Sequence, residues 1–237
     1  MLQGDYLSVL EARNRDEFHA AVVRFAQGLG FDTVAAMAVV DKGIGAAEFI
    51  TVDNTPTAYL QTFAGIGSGR RDPVMQHCKR HTVPIIWNQQ TYLDNDAIDI
   101  WEEQAPFGYR NGIAMALHLP EGRHFMLGVD RPQALPADSA QLTRLVADLQ
   151  LFAVHAQDTA MRVLVSAPLQ PERPALTPRE LEVLRWTMDG KTAWEVATLL
   201  GITERTVILH LQNAMKKLNC NSKHQAVLKA LRLGLIY

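Results

Sequence analysis

The sequence predicts an α+β protein, in which an N-terminal α/β/α sandwich is joined by a linker to an all-α domain of four helices. Strand-like and helix-like hydrophobic patterns alternate through residues 1–164. Residues 165–175 hold three of the eleven prolines and show no regular hydrophobic spacing, which is typical of a linker. Residues 176–237 show helical patterns only. These three observations predict domains at 1–164 and 176–237.

The N-terminal part contains enough strands for a central sheet and enough helices to cover both of its faces. Apolar runs predict strands at 31–40, 46–52, 84–87, 112–119 and 123–130, and the last two form a hairpin. Helical spacing, with a stop at Gly30 and a start at Asp72-Pro73, predicts helices at 16–30, 56–64, 72–81, 96–107 and 137–162. Helices between and after the strands favour the sandwich.

Every helix of the C-terminal part begins at a capping residue. Thr177 and Thr192 are each followed three residues later by a glutamate, and Ser222 by a glutamine, so all three are predicted capping boxes. Thr203 caps the remaining helix, and Gly201 ends the helix before it. Four start signals within residues 176–237 predict four short helices.

Composition indicates an ordinary globular protein. The 237 residues are 48% hydrophobic and 20% charged, and no apolar run approaches the roughly 20 residues of a membrane-spanning helix. Early acidic residues argue against a secretory signal and two distant cysteines suit reduced thiols, so we expect a cytoplasmic protein with no membrane partner. His77, Cys78 and His81 lack a fourth metal ligand, and the sequence holds no catalytic constellation. We therefore expect no metal, no cofactor and no enzymatic activity.

Charge is distributed unevenly along the chain, although the net charge is only −2. Residues 174–237 carry nine Lys or Arg and five Asp or Glu, whereas residues 1–173 carry 14 and 20. A basic C-terminal part behind an acidic N-terminal part indicates a polyanionic partner for the basic part, such as double-stranded DNA.

Residues 192–217 have the layout of a helix-turn-helix motif, whose second helix enters the DNA major groove. Its outer face carries Arg205, Ile208, Leu209 and Gln212, which can contact guanine, thymine methyl groups and adenine. Around these residues we expect further DNA contacts, mainly to phosphates, from Lys191, Thr203, Thr206, Asn213, Lys216 and Lys217. The alternative is a helical bundle that uses Ile208 and Leu209 as a protein interface and binds no DNA.

The C-terminal sequence resembles the LuxR-type DNA-binding domain along the whole module. The resemblance rests on the opening residues 176–180 and on Trp186, Gly190-Lys191, Glu195, Thr206-Val207, His210, Asn213, Lys217-Leu218 and Ala226. The family usually has a lysine where this chain has Ile208. Because this departure removes a cation from the DNA-facing side, it predicts a changed half-site preference or weaker binding.

The N-terminal sequence is similar to the autoinducer-binding domain of quorum-sensing regulators. The similarity rests on the content, order and spacing of residues 72–74, 84–88, 101–103 and 108–113. It implies an apolar pocket for an acyl-homoserine lactone, in which Asp72 accepts the amide N–H and Trp87 and Trp101 wall the head-group end. Val74 and Ile113 are further expected ligand contacts. Capping its own helix is the alternative role of Asp72, and the two roles are compatible.

Three positions of the expected pocket depart from the family pattern. Thr55, Tyr59 and Phe63 stand where the family usually has Tyr, Trp and Tyr. The Phe63 side chain cannot form a hydrogen bond, and Thr55 leaves empty the volume that a tyrosine ring would fill. The Tyr59 hydroxyl can donate a hydrogen bond, but its reach differs from that of an indole N–H. The change favours a lactone with a bulkier or aromatic tail, or a ligand that is not a lactone. Compensation within the usual lactone chemistry and a regulator that acts without ligand remain open.

The resemblance implies a homodimer that binds a pseudo-palindromic promoter site. One small helix-turn-helix module offers too little contact for strong specificity, and two modules can read half-sites about one helical turn apart. The predicted helix 137–162 is our candidate for the dimer surface because it carries Leu142, Leu145, Val146, Leu149, Phe152 and Val154. The alternative is that this stripe belongs wholly to the core.

Overall fold

The computed structural model describes residues 4–43, 46–62, 71–165 and 174–237. Phe63 and linker residues 166–173 therefore lie outside the described part of the chain. The structure divides into an N-terminal and a C-terminal compact unit, which are described separately below.

The N-terminal unit is built on one antiparallel sheet of five strands. These are β1 (Thr33–Gly43), β2 (Ala46–Asp53), β3 (Ile85–Trp87), β4 (Asn111–Leu119) and β5 (Arg123–Arg131). Their order across the sheet is β2-β1-β5-β4-β3. The predicted β4–β5 hairpin and the pairing of β1 with β2 are confirmed. Of the two remaining pairings, β3 with β4 and β1 with β5, the second joins segments that lie about 90 residues apart, as in Thr33 with Asp130.

Alternation of side chains along each strand gives the sheet two different faces. On β5, Phe125, Leu127 and Val129 are buried in the larger hydrophobic core. The intervening residues of β5 line a cavity on the other face: Met126, Gly128 and Asp130.

The first face packs against α1 (Gly4–Glu11), α2 (Arg15–Gly28) and α7 (Ser139–Val163). Phe25 of α2 stacks on Phe152 of α7 with ring centroids 3.8 Å apart. Arg162 of α7 donates hydrogen bonds to the backbone oxygens of Leu10 and Ala12, both at 3.0 Å, and so satisfies carbonyl groups at the end of α1. This face holds most of the unit's core.

The second face is covered by four short helices, α3 (Thr57–Thr62), α4 (Pro73–Arg80), α5 (Gln89–Leu93) and α6 (Ile98–Gln104), the last followed by a 3₁₀ turn (Ala105–Phe107). Cys78 of α4 packs on Ala114 and Ala116 of β4. Helices on both faces confirm the predicted α/β/α sandwich. Neither α1 nor α5 is predicted from the sequence, and the predicted helix 96–107 is divided between α6 and the 3₁₀ turn.

The predicted dimer stripe of α7 is mainly core. Leu149 and Phe152 are fully buried, and Leu142, Leu145 and Val146 pack against the same core. Among the predicted six, Val154 stands apart because it is 48% exposed, and Leu151, three residues before it, is also exposed. The large apolar side chains that α7 exposes are therefore Leu151 and Val154, and not the predicted stripe.

The C-terminal unit contains the four predicted helices: α8 (Pro178–Met188), α9 (Ala193–Leu200), α10 (Glu204–Lys217) and α11 (Lys223–Arg232). The capping boxes of Thr177 and Thr192 are confirmed. The third box is wrong in one respect, because Gln225 accepts a hydrogen bond from the backbone of Asn221 instead of Ser222. Ser222 itself caps α11 as predicted.

None of the helices in the described ranges is long and apolar enough to cross a membrane.

Candidate ligand cavity and nucleic-acid interface

A cavity of about 200 Å³ lies between the second face of the sheet and the short helices. Its apolar wall comes from the sheet and from α4: Ala35, Met37, Val74, Met75, Ala114, Met126, Leu127 and Gly128. Polar and aromatic side chains form the rest: Tyr59, Asp72, Trp87, Tyr92, Gln104, Tyr109 and Asp130. An apolar cavity with a few converging polar groups is the usual form of a small-molecule site.

Asp72 caps α4 and also lines the cavity. Its Oδ1 accepts hydrogen bonds from the backbone N–H groups of Val74 at 2.8 Å and Met75 at 3.1 Å. Both bonds end on the same oxygen, which leaves Oδ2 for a ligand donor. Burial raises the pKa of Asp72, and the two backbone hydrogen bonds oppose the rise.

The rings of Tyr59 and Tyr109 form one wall. Tyr59 of α3 stacks on Tyr109 with ring centroids 4.7 Å apart and meets Phe107 edge-on at 5.4 Å. Burial raises the pKa of Tyr59, so its hydroxyl stays protonated and can donate a hydrogen bond. Burial also raises the pKa of Tyr109, against an opposing hydrogen bond with the Thr55 side chain.

The floor of the cavity contains a second carboxyl group, Asp130 of β5. Burial raises the pKa of Asp130 to about 8, with a further contribution from Asp72 and an opposing hydrogen bond from Thr33. A Cβ atom on Gly112, the residue paired with Asp130 on β4, would lie 2.6 Å from Asp130 Oδ1 and 2.7 Å from the Trp87 ring. Glycine at 112 therefore allows the carboxyl group and the indole to approach each other.

Gln104, the last residue of α6, is 5% exposed and lines the same cavity. Within the described ranges, its Nε2 is buried and has no hydrogen-bond partner. A buried donor left unpaired costs about 1–3 kcal/mol. Gln104 therefore presents an unsatisfied N–H donor at the cavity.

The structure brings four predicted ligand residues together at the cavity: Tyr59, Asp72, Val74 and Trp87. Thr55 stands behind this wall, where it contacts Tyr109. Trp101 packs in the cluster around Trp87 and donates its indole N–H to the backbone oxygen of Arg110 at 3.3 Å. Ile113 does not line the cavity, because it is fully buried in the core on the opposite face of the sheet. Phe63 lies outside the described residues.

Sequence reasoning missed several polar lining residues, namely Tyr92, Gln104, Tyr109 and Asp130. The signal for Asp130 is present in 123–130, since strand alternation places it with Met126 and Gly128, away from Phe125 and Val129. Gln104 has no comparable signal, because a glutamine at a helix end is usually exposed.

A smaller apolar cavity of about 130 Å³ adjoins the first. The two share Met75 and Met126, whose side chains line both. Val39, Cys78 and Ala116 are among the other lining residues. Because methionine side chains have flexible rotamers, a rearrangement of this pair would join the two cavities.

The C-terminal unit presents the outer face of α10 to solvent. Thr203 Oγ1 caps the helix by accepting from the Thr206 backbone at 3.2 Å, and the two hydroxyls lie 2.8 Å apart. Ile208 and Leu209 are 42% and 52% exposed. The other predicted DNA residues that are exposed are Lys191, Thr203, Arg205, Gln212, Asn213, Lys216 and Lys217. Most of the expected groove-facing residues therefore lie on the exposed side of α10, and Lys191 precedes α9.

Lys217 differs from the other predicted DNA contacts because it is paired within the unit. Its Nζ donates to Glu180 Oε2 at 2.8 Å, and the Glu180 side chain is only 3% exposed. Burial acts to raise the pKa of Glu180, but hydrogen bonds from Lys217 and Thr177 outweigh it and hold the pKa below its usual value. Lys217 therefore joins α10 to α8.

Two family models match the chain in the order of its two units. The autoinducer binding domain matches residues 14–160, and the model of bacterial regulatory proteins of the luxR family matches residues 174–230. The chain is 32% identical to the transcriptional activator protein AnoR of Acinetobacter nosocomialis, over 99% of this chain and 98% of that protein. It is also 32% identical to the quorum sensing-dependent regulator RpaR of Rhodopseudomonas palustris, over 97% of this chain and 94% of that protein.

Among solved structures, SdiA in complex with octanoyl-rac-glycerol matches with a TM-score of 0.72 and 26% identity, over 98% of this chain and 93% of that chain. Both units of the fold therefore have counterparts in one known regulator. The sensor cavity and the helix-turn-helix unit, together with both family matches, identify the chain as a ligand-responsive DNA-binding transcriptional regulator that belongs to the LuxR family.

Proposed function

We propose that the cavity binds an acyl-homoserine lactone or a related acyl amide, and that its occupancy controls DNA binding by the C-terminal unit. The observation that carries this proposal is Asp72. Its Oδ1 is used in capping α4, and Oδ2 remains available at a mainly apolar cavity. An amide N–H is the donor that such an oxygen accepts, and an acyl tail suits the apolar wall.

The tail has room to extend along the sheet beyond Met75 and Met126 into the smaller cavity. A ligand that is not a lactone is the second candidate, because Thr55 and Tyr59 replace two of the usual aromatic residues. The structural relative SdiA supports this candidate, since one of its structures contains octanoyl-rac-glycerol.

We further propose that the protein acts as a homodimer on a pseudo-palindromic promoter site. The exposed face of α10 provides base contacts from Arg205, Ile208, Leu209 and Gln212, with Lys191, Asn213 and Lys216 beside them. Thr203 and Thr206 support the helix start. Because its target is promoter DNA, we place the protein in the cytoplasm, where free buried thiols such as Cys78 and Cys220 remain reduced.

The ligand proposal is tested by the melting temperature of the full chain, with and without N-acyl-homoserine lactones of different tail lengths and 1-octanoyl-rac-glycerol. A ligand at about 100 times its Kd stabilises the folded state by about 2.7 kcal/mol. Asp72→Asn keeps a good N-cap but removes the carboxylate, so we expect it to fold and to lose most of the lactone-induced shift. A full lactone response in Asp72→Asn would contradict the role of Asp72.

A shift caused by octanoylglycerol alone would favour the second candidate. The absence of a shift with every compound, in a protein that is folded, would contradict ligand sensing by this cavity.

DNA binding is tested by gel shift with a salt titration. Phosphate neutralisation predicts a steep loss of affinity with salt. We expect Ile208→Lys to increase affinity or change half-site preference, while Leu228→Lys, an exposed leucine on α11, is the matched control for an added charge. If both variants behave alike, Ile208 is not at the DNA.

A further inference from the structure

Two polar side chains of the cavity are not explained by the Asp72 contact. Gln104 presents a buried Nε2 that has no partner in the described part of the chain. Asp130 is a buried carboxyl whose Oδ2 meets the Thr33 hydroxyl at 3.5 Å, the outer limit of a hydrogen bond. Both line the cavity that also contains Asp72.

Gln104 and Asp130 both act on the same aromatic neighbour, Tyr92. Burial raises the pKa of Tyr92, with contributions from Asp72 and Asp130, and the nearby Gln104 amide opposes the rise, although its Nε2 reaches no hydrogen-bond geometry within the described residues. Asp130 is also next to Trp87, because both approach the backbone of Gly112 closely. The two groups therefore belong to the end of the cavity walled by Trp87 and Tyr92, whose rings meet edge-on at 5.7 Å.

The two carboxyl groups have different hydrogen-bonding capacities. Asp72 receives two backbone N–H groups, which favour its ionised form. Among the described residues, Asp130 receives the weak Thr33 contact, and burial, with a further contribution from the charge of Asp72, favours its protonated form. A protonated carboxyl group has an O–H to donate. The Trp87 end of the cavity therefore offers two donors, Gln104 Nε2–H and the Asp130 O–H.

We infer that Gln104 and Asp130 form a second polar subsite, which binds an oxygen atom of the ligand head group while Asp72 accepts the ligand amide. The inference rests on the proposed function, because it concerns the ligand of the same cavity. The oxygen that fits is a carbonyl or ring ester oxygen, since it accepts from both donors. The subsite supplies donors from α6 and β5, and Tyr59 of α3 stands at the family's Trp position.

The test compares two probes that differ only in these oxygens, N-octanoyl-homoserine lactone and the N-octanoyl amide of cyclopentylamine. Both contain the amide that Asp72 accepts and the same tail and ring size. We expect the full-length wild-type protein to bind the lactone about tenfold or more tightly, as measured by isothermal titration calorimetry. Gln104→Leu and Asp130→Ala, which remove the donors, should each reduce this preference to about threefold or less, with little change in Kd for the cyclopentylamide. Asp130→Asn keeps an N–H donor in the same place and should retain the preference.

Asp130→Asn also protects the test against a folding defect, because it preserves the side-chain shape that Asp130→Ala removes. Equal binding of both probes by the wild-type protein would overturn the subsite and leave the proposed function standing. A full lactone preference in both Gln104→Leu and Asp130→Ala would also overturn it. Failure of both probes to bind the folded wild-type protein would instead contradict the proposed amide-ligand function, and the subsite with it.

Discussion

At the scale of single residues, Asp72 both caps a helix and lines the cavity proposed to bind a ligand. Its Oδ1 satisfies two backbone N–H groups at the start of α4, which otherwise have no partner within the helix. The same bonds restrict the direction of the carboxyl group, which lines the cavity. The capping role is compatible with the proposed ligand role, and a ligand-binding test must preserve the cap.

Gly112→Ala is predicted to destabilise the N-terminal unit severely. The added Cβ would lie 2.6 Å from both Asp130 Oδ1 and the Val129 backbone oxygen, and the paired strands leave little freedom to move apart. We expect a loss of about 2 kcal/mol or more in the free energy of unfolding, measured by urea denaturation.

Gly128→Ala is the matched control on the neighbouring strand. Its added Cβ would come no closer than 4.0 Å to its nearest neighbour, the Ala114 side chain. We expect the stability to change by less than about 1 kcal/mol, although the new methyl group would occupy part of the ligand cavity. Equal destabilisation by the two substitutions would contradict the close packing assigned to Gly112.

The buried Asp130 makes stability depend on pH. Its pKa is raised from 3.8 to about 8, so between these values the folded state holds a proton that the unfolded state has released. The free energy of unfolding should therefore fall as the pH rises from 4 to 8. The groups that face Asp130 are the Thr33 hydroxyl, the Asp72 carboxyl and the hydroxyls of three tyrosines: Tyr59, Tyr92 and Tyr109.

Asp130→Asn should flatten this profile because the asparagine side chain does not ionise. We expect it to be more stable than the wild-type protein by about 1–3 kcal/mol at pH 8, with a smaller difference at pH 4. Asp99→Asn is the control, because Asp99 is an exposed carboxylate paired with Arg71, and its pKa is lowered. Parallel pH profiles for wild-type and Asp130→Asn would contradict a protonated Asp130.

At the scale of secondary-structure elements, α10 has a buried side and an exposed side, to which we assign different functions. Val207, Ala214 and Leu218 at its end are buried against the other helices of the C-terminal unit. The exposed side is available to DNA, but Lys217 turns back to Glu180 on α8. Adjacent lysines with the same side chain are thus assigned different roles by their positions around the helix.

Lys216→Gln and Lys217→Gln should separate these roles. Lys217→Gln leaves the buried Glu180 carboxylate without its cation, so we expect a loss of about 1–3 kcal/mol in stability, discounted for the partial exposure of Lys217. Lys216→Gln should leave stability nearly unchanged, weaken DNA binding and reduce the salt slope by about 0.9. Urea denaturation and salt-dependent gel shifts measure the two effects, and an exchange of the two phenotypes would refute the assignment.

At the scale of the whole molecule, the proposed homodimer requires an apolar surface that is not already used in the core. The outer face of α7 offers Leu151 and Val154, which are 43% and 48% exposed. We expect the double variant Leu151→Glu and Val154→Glu to shift the full chain from dimer to monomer in analytical ultracentrifugation. Leu93→Glu, at an equally exposed leucine of α5, is the control. A dimer that resists the double substitution would exclude this face.

Much of the architecture follows from local patterns in the sequence. The capping residues place the four C-terminal helices, and strand alternation in 112–119 and 123–130 predicts the β4–β5 hairpin. The short helices α1 and α5 escape prediction because elements of eight and five residues contain too few turns to show a period. The structure places Ile113 on the opposite face from the cavity, whereas the sequence predicts it as a ligand contact. Its neighbours in the family motif, at 108–112, do not reveal which side of the strand each residue faces.

The sequence by itself determined the two-part organisation and the four C-terminal helices, because these depend on periodicity and caps. It also indicated the class of regulator, because the motifs that carry the family resemblance are contiguous in the chain. Only the tertiary structure decided which polar side chains share the cavity. Asp72, Gln104 and Asp130 come from α4, α6 and β5, and meet because the sheet and its covering helices bring distant segments together. It also decided that Lys217 binds Glu180, because a side chain's partner depends on helix packing and not on its place in a motif.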